Sequence, residues 1–269
     1  MTKFITLFKQ MWLQKLKYVY LAFIINIFLI IFISAFATIS HDYDLYFFYS
    51  PEKNLNSFWA SNFATITLYV DLAFFALTCW EDEKINLSQT WHLIPTNEKK
   101  LFTTNIISSL ASCGLLFLMQ QIVNTLLFLP SRGAKSLSFV FSSFSLWMNK
   151  YNTLSSTLRH WLFIILIIVF LYLFVSFANF SSRIISETLP VKSTLWIRLF
   201  LIALLVIIAV YSGSIILSHV DGIINRVNIL RNYDPIWLDD LLIFIVSFIL
   251  GIFDLWFIDK YIEPKINNR

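Results

Sequence analysis

The chain has 269 residues, of which 58% are hydrophobic, 18% aromatic and only 13% charged, and its mean hydropathy is +0.73. That is too little polar surface for a soluble domain of this length, so the composition excludes one and points to an all-α polytopic membrane protein. The modest net charge of +4 gives no reason to expect a nucleic-acid partner.

Residues 1–17 read as an interfacial amphipathic helix. Phe4, Phe8, Met11 and Trp12 share a face with Ile5 and Leu16, opposite Lys3, Gln10, Gln14 and Lys17. Lys9 and Lys15 fall at its margins, placed to snorkel. A signal peptide is the rival, but the apolar run that follows is too long and no small-residue cleavage site closes it. Six transmembrane helices are expected, over about 18–39, 58–80, 101–129, 161–180, 195–217 and 241–258. The second contains Asp71 and the sixth Asp254, and the third is expected to stop at Pro130. Between the third and fourth, Leu137, Val140, Phe141, Phe144, Trp147 and Met148 recur at helical spacing, which predicts a helix lying on the membrane. Asp234-Pro235 can open the last helix. Cys79 and Cys113 both lie in apolar runs and read as small core residues.

Most of the lysines and arginines fall on the N-terminus, the second and fourth connections and the tail. The third connection, with Arg132, Lys135, Lys150 and Arg159, is the discordant one. The positive-inside rule therefore puts both termini, and the polar stretch Glu81–Asn105, in the cytoplasm.

In that stretch Leu87, Trp91 and Ile94 lie at i, i+4 and i+7, which predicts a short helix Asn86–Ile94 with one apolar stripe. Pro95 ends it, and Thr96 with Glu98 starts the next helix. A partner gripping Trp91 would move the third span. The other reading is an interfacial hairpin with Trp91 among the headgroups.

Catalytic signatures are missing. The histidines have no metal-binding helical spacing, and neither HExxH nor GxSxG occurs. Glu81, Asp82 and Glu83 are explained by a charged helix end. No glycine is followed by lysine, so the chain has no phosphate-binding loop and is not expected to be an enzyme or to hold a metal or cofactor. Paired Gly/Pro-broken spans, which often mark secondary transporters, are also missing. Asp71 reads either as a pathway residue or as one end of an interhelical hydrogen bond. The third span carries a polar stripe, Asn105, Ser108, Ser109, Ser112, Gln120 and Asn124, that either lines a path or, the preferred reading, bonds neighbouring helices.

The acid-rich end of the second span with Glu81 and Glu83, the run Ser88-Gln89-Thr90-Trp91-His92-Leu93-Ile94-Pro95 and the basic pair Lys99-Lys100 resemble exporter-type ABC transporter permeases. The run is similar to that of small permeases of lactic acid bacteria and related Gram-positives, many of them linked to antimicrobial-peptide export or immunity. The specific motif covers about twenty residues, and His92 stands where that family often has a base. The resemblance implies a coupling helix, carried by Glu81, Glu83, Leu87, Gln89, Trp91, His92, Ile94 and Pro95, docking on a separate P-loop ATPase that holds ATP and Mg. It also implies a second permease subunit, identical or paralogous, in the cell membrane. The competing expectation is a non-transporting immunity or sensor protein that binds a peptide at extracellular aromatic loops such as 43–49.

Overall fold

The computed structural model describes residues 4–40, 55–132, 154–188, 194–226 and 236–261. They form seven helices: α1 (Phe4–Ser40), α2 (Leu55–Asn86), α3 (Gln89–His92), α4 (Glu98–Arg132), α5 (Leu154–Thr188), α6 (Thr194–Arg226) and α7 (Ile236–Tyr261). There is no strand among the described residues. Five stretches are long and apolar enough to cross a membrane: Phe4–Phe36, Glu98–Leu127, Trp161–Ser186, Trp196–Ile215 and Trp237–Lys260. They mark a multi-pass membrane protein. The expected second span, 58–80, lies inside α2 but is not among the five. The surface helix expected from Leu137–Met148 and the aromatic segment 43–49 lie outside the described residues.

Several boundaries differ from expectation. The interfacial helix 1–17 is not a separate element, because α1 is one helix of 37 residues. No glycine or proline interrupts it, and α1 is about 55 Å long at 1.5 Å per residue. α4 runs through Pro130 to Arg132, since a proline in the last turn removes only one backbone bond. α6 continues past the expected 217 to Arg226, and α7 opens at Ile236, directly after Asp234-Pro235.

The short helix after α2 is also smaller than expected. α2 itself carries on to Asn86, and Ser88 is extended (φ −81°, ψ 123°), leaving only Gln89–His92 for α3. Asn97, not Thr96, begins α4. Its Oδ1 accepts the Lys99 backbone N–H at 3.0 Å, and its carbonyl accepts the N–H of Lys100 and of Leu101. The Thr96 hydroxyl is buried with no partner among the described residues. Asn is among the best N-caps because its short side chain reaches the free amides of the first turn.

The chain divides into two compact units, Met1–Met148 and Asn149–Arg269. In the first, α1, α2 and α4 pack together, α2 antiparallel to the other two. Val19, Ala22 and Ile30 of α1 meet Phe63, Ile66, Val70 and Phe74 of α2 and Leu116 of α4. In the second, α5 packs against α6 and α7. Phe177 of α5 contacts the rings of Phe253 and Phe257, and Gly251 of α7 lies beside Leu173. Such close packing, rather than expulsion of water, holds helices together in lipid.

Because the cap is an Asn97 side-chain bond, Asn97→Ala is expected to cost about 1 kcal/mol, and Thr96→Ala clearly less. Thermal unfolding of the two variants in detergent distinguishes them, and equal losses would contradict the assignment.

Candidate functional site: a caged lysine behind the α2–α4 connection

The first unit is built on a stripe of α1 residues at helical spacing: Leu7, Met11, Lys15, Val19, Ala22, Asn26 and Ile30. All seven are buried. The stripe is apolar except at Lys15 and Asn26, and both of these find partners on the helices opposite.

Lys15 is fully buried, at 0% exposure. Its Nζ lies 2.6 Å from Asp82 Oδ1 on α2. On α4 it lies 2.8 Å from Asn105 Oδ1, 2.9 Å from the Asn105 carbonyl, 2.7 Å from Ser108 Oγ and 2.6 Å from Ser109 Oγ. An ammonium has three protons, so these five oxygens share them. The surrounding groups close the cage. Ser109 Oγ donates to the Asp82 carboxylate at 2.7 Å, and Asn105 Nδ2 donates to the Asp82 carbonyl and to Asn86 Oδ1, each at 3.0 Å. Ser108 Oγ donates to the Asn105 carbonyl, and Ser112 Oγ to the Ser108 carbonyl. One positive and one negative charge are thus enclosed with their bonding capacity largely filled, which is the condition for keeping a buried ion pair at all.

The cage sits beside α3. Leu7 and Met11 of α1, Ile85 of α2 and Leu101 of α4 form a small apolar cluster, against which Trp91 and Ile94 pack. Two members of the expected docking stripe therefore face the chain's own helices. The groups that α3 and its turn leave exposed are Thr90, Leu93 and Pro95, with Leu93 82% exposed. Leu87, Gln89 and Glu83 are half-buried, and His92 ends α3. Glu81 is buried; it accepts a 3.3 Å bond from Tyr18 Oη and lies 3.9 Å from Lys84 Nζ.

The remaining polar residues form a second layer, deeper along the helices. Gln120 Nε2 donates to Asp71 Oδ1 at 2.7 Å, and Asn26 Nδ2 donates to Thr67 Oγ1 at 3.0 Å. The α4 stripe is thus divided between two places: Asn105, Ser108, Ser109 and Ser112 at the cage, and Gln120 bonded to Asp71 with Asn124 one turn further along α4.

Lys15 and Asp82 were not expected at a site. The lysine's snorkelling position at a helix margin is corrected by its complete burial. The signal that finds it is the α1 stripe, which continues without a change of phase across the supposed boundary at residue 17. Among the described residues no group of three His, Cys, Asp or Glu side chains converges on a metal position. No protein-family model, curated protein or solved structure matches the chain.

If the cage holds a coupled pair, Lys15→Met and Asp82→Asn each lose about 3–5 kcal/mol, because each leaves a charge buried alone. The double variant loses at least about 1 kcal/mol less than the two together. Equilibrium unfolding of the four proteins in mixed detergent gives the cycle; strictly additive losses would refute the pair.

Proposed function

We propose that the chain is the membrane-spanning permease subunit of an ABC transporter, driven by ATP hydrolysis on a separate P-loop subunit that holds ATP and Mg. The observation that carries this reading is the mounting of α3. The four-residue helix lies between the ends of two long helices and rests on α1 through Trp91 and Ile94. It is backed by the Lys15 cage and turns Leu93 outward. A push on Leu93 is delivered to α1, α2 and α4 together, since the cage ties all three. This is what a coupling element requires: an exposed grip on one side and a stiff connection on the other.

The grip in this reading is Thr90, Leu93 and Pro95, while Trp91, Ile94 and Glu81 anchor the element to its own chain. In the same proposal α2 supplies a sixth span, the termini and α3 lie in the cytoplasm of a cell membrane, and a second permease subunit, identical or paralogous, completes the path. The resemblance of the 88–95 run makes an antimicrobial peptide or similar amphiphile the proposed cargo.

The test is co-purification from native membranes, with azido-ATP labelling to reveal a nucleotide-binding partner. Leu93→Asp is expected to weaken that partner's recovery about 30-fold, the effect of losing a contact worth about 2 kcal/mol, with the permease accumulating normally. Trp91→Ala is expected to lower accumulation of the permease itself. Absence of a labelled partner from the wild-type preparation, or its full retention by Leu93→Asp, would overturn the proposal. A labelled partner that is absent while a peptide still binds the purified chain would favour the immunity reading.

A further inference from the structure

The layer around Asp71 differs from the lysine cage in one respect: its hydrogen bonds do not close. Gln120 is 1% exposed and Asn26 0%. After Gln120 Nε2 has bonded Asp71 and Asn26 Nδ2 has bonded Thr67, their oxygens Gln120 Oε1 and Asn26 Oδ1 remain buried with no partner among the described residues. Asn124 Oδ1 is buried and unpartnered as well.

These groups share one level of the three-helix unit. Gln120 faces Asp71 across α2 and α4, and the same antiparallel register that joins Ser109 to Asp82 puts Asn124 opposite Thr67. Thr67 is one turn from Asp71, Asn124 one turn from Gln120, and Asn26 reaches Thr67 from α1. A half-buried carboxylate and three amide side chains with unpartnered oxygens therefore lie within about one helical turn of one another, on stretches of the three helices that carry no cation among the described residues. Residues 18–40 and 101–129 carry no charged side chain, and Asp71 is the one charged residue between 54 and 80. The nearest lysine along α1, Lys17, lies nine residues before Asn26 with its Nζ over the Tyr18 ring, and Lys15 is held by Asp82.

Three occupants can be compared. A proton on Asp71 removes the charge but can satisfy one acceptor, leaving the other amide oxygens as they were. A water molecule donates two bonds but leaves an ionised Asp71 uncompensated. A monovalent cation neutralises the one carboxylate and accepts lone pairs from all the amide oxygens at once. A divalent cation would leave an excess positive charge, since its sites gather more carboxylates or retain water. From this we infer that Asp71, Gln120, Asn124 and Asn26 form a binding site for a monovalent alkali cation, Na+ or K+, joining α1, α2 and α4. The inference is independent of any ATPase partner.

The experiment uses the purified full chain in lipid nanodiscs, with thermal unfolding followed in NaCl, KCl and choline chloride at equal ionic strength. For the wild type, the midpoint is expected to rise by several degrees, saturably, with Na+ or K+ over choline, as a ligand that binds only the folded state requires. In Asp71→Asn the difference between salts should fall below about 1 °C. Asn124→Leu, on the less buried side of the layer, should retain the fold and raise the half-saturating concentration about tenfold. Identical wild-type midpoints in the three salts would overturn the inference. So would a salt effect that both variants keep unchanged, or a stabilisation that follows acid alone and ignores the cation, which would make the occupant a proton.

Discussion

A lysine ammonium enclosed among apolar helices is tolerable only while its counter-charge and hydrogen-bond acceptors stay in place. At Lys15 these come from two other helices, Asp82 from α2 and Asn105, Ser108 and Ser109 from α4. Turning α1 by one residue would swing Lys15 by about 100° and leave both charges unpaired, at a cost of several kcal/mol each. Apolar faces such as Val19, Ile66 and Leu116 tolerate small slips far more easily, because dispersion contacts are numerous and individually weak. The ion pair thus sets the register in which the rest of the first unit packs. The apolar cluster of Leu7, Met11, Ile85 and Leu101, and with it the seat of α3, follows from that register.

The same three helices carry two polar layers of different character. The layer beside α3 encloses the Lys15–Asp82 pair and fills nearly every bond. The one around Asp71, eleven residues and about 16 Å further along α2, holds a single half-buried acid and leaves buried amide oxygens over. A filled layer has a structural account in its own bonds; an unfilled one calls for something more to be bound. The two are in series along α2, so displacement of α3, or occupation of the Asp71 layer, would act on one continuous helix.

Much of α4 was legible in the residues alone. Asn105, Ser108, Ser109 and Ser112 recur at helical spacing in an apolar sequence, and helical geometry then requires a common polar face. Asn105, Ser108 and Ser109 bond groups on α1 and α2, while Ser112 bonds back to the Ser108 carbonyl within α4. Lys15 was not legible in the same way. Long basic side chains near a helix end ordinarily reach for water, and only a carboxylate on another helix makes burial competitive. Trp91 and Ile94 form a real stripe, but a stripe has no label for what it faces; here it is Leu7 and Met11, more than seventy residues earlier. The supposed break after residue 17 came from a change in polarity, whereas the backbone has no proline or glycine there to break it.

By itself the sequence determined that this is a helical membrane protein, where most of its long helices lie, and that α4 has one polar face. Those properties depend on composition and on periodicity within one segment. The tertiary structure alone decided that Lys15 pairs with Asp82, that Trp91 turns inward and Leu93 outward, and that Asp71 meets Gln120. Such pairings depend on the register between helices distant in the chain. That register is chosen by the mutual satisfaction of buried charges and hydrogen bonds, which no single segment contains.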